Sequence, residues 1–94
     1  MKNKPSISVV IPVLNEEGSL TKLYKELVQA LNSYPEWEII FIDDGSKDNS
    51  VEIIRSFIQS NNNIKLIKFH KNYGKADALH EGFKIAQYSV VITM

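Results

Sequence analysis

The chain has 94 residues, 44% of them hydrophobic, and its 11 Lys and Arg residues balance 11 Asp and Glu residues. This length allows one small domain with a core, and the dispersed, balanced charge argues against a nucleic-acid-binding groove. The lack of cysteine excludes disulfides and thiolate chemistry, no apolar run is long enough for a membrane span, and Pro12 within Val9–Leu14 argues against a signal peptide.

The first predicted strand, Ile7–Ile11, is apolar apart from one serine, and Pro12 is expected to end it because proline cannot donate to a central ladder. A polar loop follows at residues 13–18. Ser19 is the predicted cap of the first helix, which ends near Asn32. The apolar residues of this helix recur at helical spacing and form one face: Leu20, Leu23, Tyr24, Leu27, Val28 and Leu31.

The second predicted strand, Trp37–Ile42, is a continuous apolar run apart from Glu38, which is typical of a strand buried on both faces of a parallel sheet. It ends at two adjacent carboxylates, and a Gly-Ser turn follows them. Asp48 is expected to cap a second helix that runs to about Ser60. The inward positions of this helix are predicted to be Val51, Ile54, Phe57 and Ile58.

The third predicted strand, Ile64–Phe69, alternates apolar residues with lysines, which favours a position at the edge of the sheet. A third helix is predicted over Lys75–Gln87, and Gly82 within it indicates close packing, since glycine weakens a helix. A fourth strand is predicted over Ser89–Met94. The inward residues of the third helix are predicted to be Ala76, Leu79, Phe83 and Ala86.

The alternation of strands and helices predicts an α/β fold, a Rossmann-like parallel sheet of order 3-2-1-4 with right-handed crossovers. The loops after the first three strands then share one rim, where open α/β sheets bind ligands. Carboxylates there can accept hydrogen bonds from ribose or base, or bind a divalent cation. The glycine-rich phosphate loops of dinucleotide and P-loop sites are absent from the sequence. From the residues alone, the favoured interpretation is that Asp43 and Asp44 end a strand and order a turn.

Four segments resemble the opening third of the family 2 glycosyltransferases of the GT-A fold. They are SVVIPVLNEE, EIIFIDDGSKDNS, NYGKADALHEGFKIA and VVITM, and together the resemblance covers residues 6–94. Within the family the chain is most similar to the branch of dolichol-phosphate mannosyltransferase and bacterial polyprenyl-phosphate glycosyltransferases. The resemblance implies that residues 1–94 are the N-terminal nucleotide-sugar-binding portion of a GT-A domain.

The resemblance also implies a role for individual residues toward a nucleotide-diphosphate-sugar donor. Pro12 and Leu14 would line the base and ribose pocket, and Glu16 would bind the ribose or base. Ile42 would contribute through its backbone, and Asp44 would accept a hydrogen bond from a ring N–H of the base. In many members an aromatic residue stands at the place of Leu14, so stacking on the base is not implied here.

Two further residues receive lesser roles from the resemblance: Asp43 is expected to order the turn, and Lys75 lies near the expected diphosphate. The family's D-x-D motif, which holds a divalent metal (Mg or Mn) and the diphosphate, should begin where this chain ends at Met94. We therefore expect no catalytic residue and no metal ligand among the 94 residues, and no activity from them alone. The implied acceptor is a polyprenyl phosphate or a glycan, and the implied location is cytoplasmic with membrane association.

Two other functions compete with a glycosyltransferase: a non-catalytic nucleotide-binding or interaction module, and a receiver-type signalling domain. The receiver ranks last, because its acidic pair follows the first strand, whereas this pair follows the second, and because His70 rather than an aspartate follows the third. The apolar fourth strand also predicts self-association or marginal stability, since an uncovered strand edge invites pairing with another chain.

Overall fold

A computed structural model describes residues 5–93. Within them, strands and helices alternate in the predicted order, and each boundary lies within two residues of its prediction. The fourth strand is seen to Thr93, and its predicted last residue, Met94, lies outside the described part. The elements are β1 (Ile7–Val13), α1 (Leu20–Leu31), β2 (Trp37–Asp43), α2 (Ser50–Ser60), β3 (Ile64–Lys68), α3 (Lys75–Ile85) and β4 (Val90–Thr93).

The four described strands form a parallel sheet of order β3-β2-β1-β4, which confirms the predicted topology. The prediction that Pro12 ends β1 is wrong, because β1 continues to Val13 and Pro12 pairs with Ile42. The amide of Ile7 donates to the carbonyl of Glu36, on the β2 side. Because successive residues of a strand direct their backbone groups alternately to its two neighbours, the backbone of Pro12 faces β4. The described pairing with β4 stops at Val10, so the missing N–H of Pro12 interrupts no described ladder bond.

Alternate residues of the central strands face opposite sides of the sheet and build two cores. On one side, Ile39 and Phe41 of β2 pack with residues of α1 and α2, and Phe41 and Phe57 make a ring contact. The apolar face predicted for α1 packs into this core, as do Ile54, Phe57 and Ile58 of the four inward residues predicted for α2, and the fourth, Val51, is buried. On the other side, a smaller core under α3 contains Val10, Ile40, Ile42 and Ala78.

The buried face of α3 differs from the predicted one. Leu79 and Ala86 pack against the smaller core as expected, but Ala76 is exposed and Phe83 is 47% exposed. The residues nearest the sheet are Ala78 and Gly82, one helical turn apart and both buried. Because small side chains let α3 approach the sheet closely, its line of contact follows Ala78 and Gly82, and Phe83 lies beside that line.

Gly82 packs directly against the sheet, as its place in a helix led us to expect. A Cβ atom at this position would overlap Cγ1 of Val10 and lie 2.7 Å from Cδ1 of Ile42. We expect Gly82→Ala to lower the free energy of unfolding by about 1–2 kcal/mol, because overpacking outweighs the gain in helix propensity. Urea denaturation measures the loss. Gly18→Ala is the matched control, since its Cβ would meet nothing within 4 Å, and an equal effect of both substitutions would contradict the prediction.

β4 lies at one edge of the described sheet, next to β1. Val91 is 40% exposed and Ile92 is 43% exposed, although both are apolar residues of a strand. Such an edge, with apolar side chains open to solvent, is the feature on which the expected self-association depends. Self-association through β4 stays a prediction.

Candidate functional site

An open cleft of about 360 Å³ lies at the carboxyl ends of β1 and β2, beside the beginning of α3. This volume is within the range of small-molecule sites. The cleft brings together four of the five residues predicted for nucleotide binding, whereas Ile42 is fully buried in the core under α3 and does not line it. The lining residues are Pro12, Val13, Leu14, Glu16, Asp44, Asn72, Gly74 and Lys75.

Asp44 lies at the base of this cleft, immediately after β2, and is 4% exposed. Its carboxylate accepts the amide of Tyr73 at 2.7 Å and that of Gly74 at 3.0 Å, so it fixes the backbone that leads into α3. The sequence did not predict this role. A carboxylate offers about four lone-pair positions, so Asp44 retains acceptor capacity toward a ligand in the cleft.

The turn after β2 is ordered by Asp43, as expected. The Oδ2 atom of Asp43 accepts the amide of Ser46 at 3.0 Å, and the residue is fully buried. Gly45 adopts a φ of +84° and approaches the backbone of Lys71 and Asn72 so closely that a Cβ atom would lie 2.7 Å from the nearest carbonyl carbon. The turn after β2 therefore supports the segment after β3 that supplies Asn72 to the cleft.

The loop after β1 (residues 14–19, the β1 loop) is bound to the loop after β2 (residues 44–49, the β2 loop) and to Ser50 by reciprocal hydrogen bonds. The amide of Asn15 donates to Oγ of Ser46 at 2.8 Å, and the amide of Lys47 returns to Oδ1 of Asn15 at 2.8 Å. The amide of Glu16 donates to Oγ of Ser50 at 2.9 Å. These bonds fix the rim residues of the cleft, although Asn15 itself adopts a positive φ of 53°.

The prediction that Asp48 caps α2 is wrong in position, because the cap residue is Asn49 and the helix begins at Ser50. Asp48 nevertheless accepts the Ser50 amide at 2.9 Å, so it still satisfies a free N–H of the first turn. The hydrogen bond from the Ser50 hydroxyl, with smaller contributions from backbone amides, lowers the pKa of the Asp48 carboxyl although desolvation opposes it. Asp48 is therefore ionised at neutral pH.

Glu17 makes side-chain and backbone contacts with the β2 loop. It is exposed, but its Oε1 atom accepts the amide of Asn49 at 2.9 Å, and its own amide donates to Asp48 at 3.1 Å. Glu17 therefore belongs to the contact between the two loops. Glu26 on α1 is exposed and makes no described hydrogen bond or ion pair, which makes it a better control for tests of the cleft.

The chemistry of the cleft is that of a polar pocket with a partly apolar rim. Leu14 is 41% exposed at the rim, and the carboxylate of Glu16 accepts the Ser19 hydroxyl at 3.0 Å while remaining exposed. Lys75, the first residue of α3, adds a positive charge to the lining. Hydrogen-bond acceptors, one cation and an exposed leucine suit a ligand that combines a flat ring, hydroxyl groups and negative charge.

Within residues 5–93, no three His, Asp or Glu side chains are arranged to hold a metal ion. In the same part of the chain, none of the helices is long and apolar enough to cross a membrane.

Comparison with known proteins assigns the chain to a family. The sequence model described as glycosyl transferase family 2 matches residues 8–94. The chain belongs to glycosyl transferase family 2. It is 39% identical over 90 residues to undecaprenyl-phosphate 4-deoxy-4-formamido-L-arabinose transferase of Edwardsiella ictaluri (strain 93-146), and the match covers 94% of this chain and 28% of that protein. The resemblance seen in the sequence is thereby confirmed.

Two solved structures share the fold. S. aureus TarS 1-349 in complex with UDP-GlcNAc superposes with a TM-score of 0.83 at 26% identity, covering 95% of this chain and 26% of that one. The mannosyltransferase PcManGT from Pyrobaculum calidifontis, in complex with GDP-Man and Mn²⁺, superposes with a TM-score of 0.74 at 23% identity over 94% of this chain and 26% of that one. This chain thus spans about a quarter of the length of the relatives it matches.

Proposed function

We propose that this chain forms the nucleoside-binding part of a family 2 glycosyltransferase that moves a sugar from a nucleotide-diphosphate-sugar donor to a polyprenyl phosphate. The observation that carries the proposal is the position of Asp44, a buried carboxylate in the cleft at the carboxyl end of a central strand. Two comparisons support it: a relative is named as an undecaprenyl-phosphate sugar transferase, and a structural neighbour is in complex with UDP-GlcNAc. A glycan acceptor is the alternative within the same reaction class.

In this proposal each residue of the cleft has a distinct task toward the donor. Asp44 accepts a hydrogen bond from a ring N–H of the base, and Pro12 and Leu14 line the base and ribose pocket. Glu16 binds ribose hydroxyls or the base from the rim, and Ile42, which lies in the core behind the cleft, contributes through its backbone. Lys75 lies on the same lining, where a cation would attract the diphosphate.

The chemistry of transfer requires more than these residues. A divalent metal, Mg²⁺ or Mn²⁺, would neutralise charge on the departing diphosphate when bound, and a structural neighbour contains Mn²⁺ with its nucleotide sugar. The described residues contain no group of three potential ligands for such an ion, so we assign to this chain no step that involves the metal. We expect no turnover by these 94 residues alone. A lipid-phosphate acceptor implies that the whole protein works at a membrane surface, and the proposal places it on the cytoplasmic side.

Asp44→Asn tests the proposed contact with the base. Uracil and guanine carry a ring N–H that a carboxylate can accept, whereas the ring N3 of cytosine carries no hydrogen. We expect the substitution to weaken binding of UDP or GDP by roughly tenfold, because a charge-assisted hydrogen bond is lost. We expect the wild type to bind CDP weakly, and the substitution should leave that affinity unchanged or improve it, because an asparagine amide can donate to N3. Calorimetric titration or NMR titration of the chain with all three nucleoside diphosphates measures both effects.

The preference between nucleotides separates this role from a purely structural one. Asp44 also holds the backbone before α3, and damage to that backbone would weaken CDP and UDP alike. Glu26→Gln, a loss of one exposed carboxylate on α1, is the control and should leave all affinities unchanged. Parallel losses for all nucleotides in Asp44→Asn would contradict the base contact. No saturable binding of UDP or GDP by the wild-type chain would favour the alternative, an interaction module without a nucleotide.

A further inference from the structure

Asp48 belongs to the β2 loop and bonds to Glu17 in the β1 loop and to Ser50 at the beginning of α2, although it does not line the cleft itself. Its carboxylate uses both oxygens. Oδ1 accepts the amide and the hydroxyl of Ser50, at 2.9 Å and 2.6 Å, and Oδ2 accepts the amide of Glu17 at 3.1 Å. A carboxylate with both oxygens engaged in this way fixes the groups around it more firmly than a single hydrogen bond would.

The Ser50 hydroxyl transmits the effect of Asp48 to Glu16. A hydroxyl carries one hydrogen, and in Ser50 this hydrogen points to Asp48, so the lone pairs of the oxygen are free to accept. The amide of Glu16 donates to that oxygen at 2.9 Å. Ser50 is fully buried, so solvent does not compete for the hydroxyl. Asp48 thereby sets the direction in which Ser50 offers its acceptor to Glu16.

The backbone of Glu16 is bound on both sides. Its N–H reaches Ser50, and the next amide, of Glu17, reaches Asp48 directly. Its carbonyl accepts the amides of Ser19 and Leu20 at the beginning of α1. Removal of Asp48 would take the acceptor from the Glu17 amide and leave the Ser50 hydroxyl free to rotate. The hydrogen bonds donated by the amides of Glu16 and Glu17 would therefore both weaken.

We propose that Asp48 is a positioning residue for the nucleotide donor, which acts by holding Glu16 at the rim of the cleft. This role rests on the proposed function, in which Glu16 contacts the ribose or base. It assigns a task in donor binding to a carboxylate that lies behind the rim. The proposed coupling runs from Asp48 through Ser50 to the amide of Glu16, over hydrogen bonds of 2.6 Å and 2.9 Å.

A double-mutant cycle of Asp48 and Glu16 tests this role, with UDP and GDP as the probes. We expect Asp48→Ala to weaken binding of the preferred nucleotide on the order of tenfold. In the background of Glu16→Ala, the same substitution should weaken binding by less than about twofold, because its effect passes through Glu16. Asp48→Asn keeps one acceptor oxygen and should recover part of the affinity. Glu52→Ala, on the first turn of α2 with a partner only in Arg55 among the described contacts, is the control.

Amide hydrogen exchange gives a readout that does not depend on the ligand. In Asp48→Ala the amides of Glu16 and Glu17 should exchange about tenfold faster or more, while the amide of Ala86 at the end of α3, which donates to Gly82, keeps its rate. Additive losses in the cycle, or unchanged exchange at Glu16, would overturn the positioning role. If the wild-type chain bound neither nucleotide, the proposed function and the donor role of Asp48 would both fail, and exchange would still show separately whether Asp48 holds the β1 loop.

Discussion

Glu38→Ala is expected to lower the free energy of unfolding by about 3 kcal/mol, a large loss for a single substitution. Glu38 lies near the beginning of β2, at the end of the sheet opposite the cleft, and is 1% exposed. Its Oε2 atom accepts the Ser8 hydroxyl at 2.6 Å and the Gln87 amide at 2.8 Å. Its Oε1 atom lies 2.7 Å from Nζ of Lys65. One carboxylate thus joins β1, β2, β3 and the segment between α3 and β4.

The size of the loss follows from what the substitution leaves behind. Ser8 is fully buried, and the Gln87 amide would lose its acceptor, so polar groups would remain without their partner. The side chain of Lys65 is 39% exposed and can turn toward water, which places the loss at the lower end of the range of about 3–5 kcal/mol for broken buried ion pairs. Ser8 also accepts the Tyr88 amide at 3.2 Å, so β4 should loosen first.

The same carboxylate should make stability depend on pH. Burial alone would raise the pKa of Glu38, but the Gln87 amide, the Lys65 ammonium and the Ser8 hydroxyl together outweigh burial and lower the pKa below its ordinary value of 4.5. The unfolded chain therefore binds this proton at a higher pH than the folded chain. The stabilisation is complete above pH 4.5 and is lost as the pH falls through the folded pKa.

Urea denaturation of the wild type, Glu38→Ala and Glu38→Gln at several pH values measures both effects. Glu38→Gln keeps the shape of the side chain without the charge, so the stability difference from the wild type should shrink on acidification below about pH 4. Glu36→Ala is the control, because Glu36 is exposed and its described side-chain bond is to the Ser6 hydroxyl at the surface. A pH-independent difference between the wild type and Glu38→Gln would show that the charge of Glu38 does not stabilise the fold.

The parts of the fold that the sequence predicts well are those dominated by repetition. The unbroken apolar run Ile39–Ile42 fixes β2 as a central strand, and the alternation of elements then places Glu16 and Asp44 on one rim. The face of α3 was predicted wrongly for a physical reason. Hydrophobicity favours Phe83 as the buried residue, but close approach to the sheet favours Gly82, and this distance is a property of the packed structure.

The polar contacts of the site were less accessible from sequence. The sequence pattern assigns Ser46 to a turn and Asp48 to a cap, which are their usual local roles, but their partners lie 31 residues away on the β1 loop. Local patterns do not report such pairs. The available signal was the density of short polar side chains after β2, which exceeded what one turn and one cap require.

Gly45→Ala is expected to destabilise the chain by about 1–3 kcal/mol more than Gly74→Ala does, because both substitutions impose backbone strain and only Gly45→Ala adds a steric overlap with neighbouring backbone. Both glycines have a positive φ, of 84° and 104°. A Cβ at Gly45 would lie 2.7 Å from the carbonyl carbon of Lys71 and 2.8 Å from the nitrogen of Asn72, whereas a Cβ at Gly74 would meet nothing within 4 Å. Both substitutions therefore impose backbone strain, and only Gly45→Ala adds a steric overlap.

The overlap at Gly45 should also reach the cleft. The atoms in the way belong to the backbone, which cannot rotate aside as a side chain can, so the segment that carries Asn72 must move. We expect the NMR signals of Asn72 to shift in Gly45→Ala by more than in Gly74→Ala, although Gly74 is nearer in sequence. Urea denaturation of both variants gives the stability difference, and a Gly45→Ala chain without a cooperative transition counts as the larger loss. Equal losses would mean that the turn after β2 and the segment that carries Asn72 separate easily, and that this turn does not support the cleft.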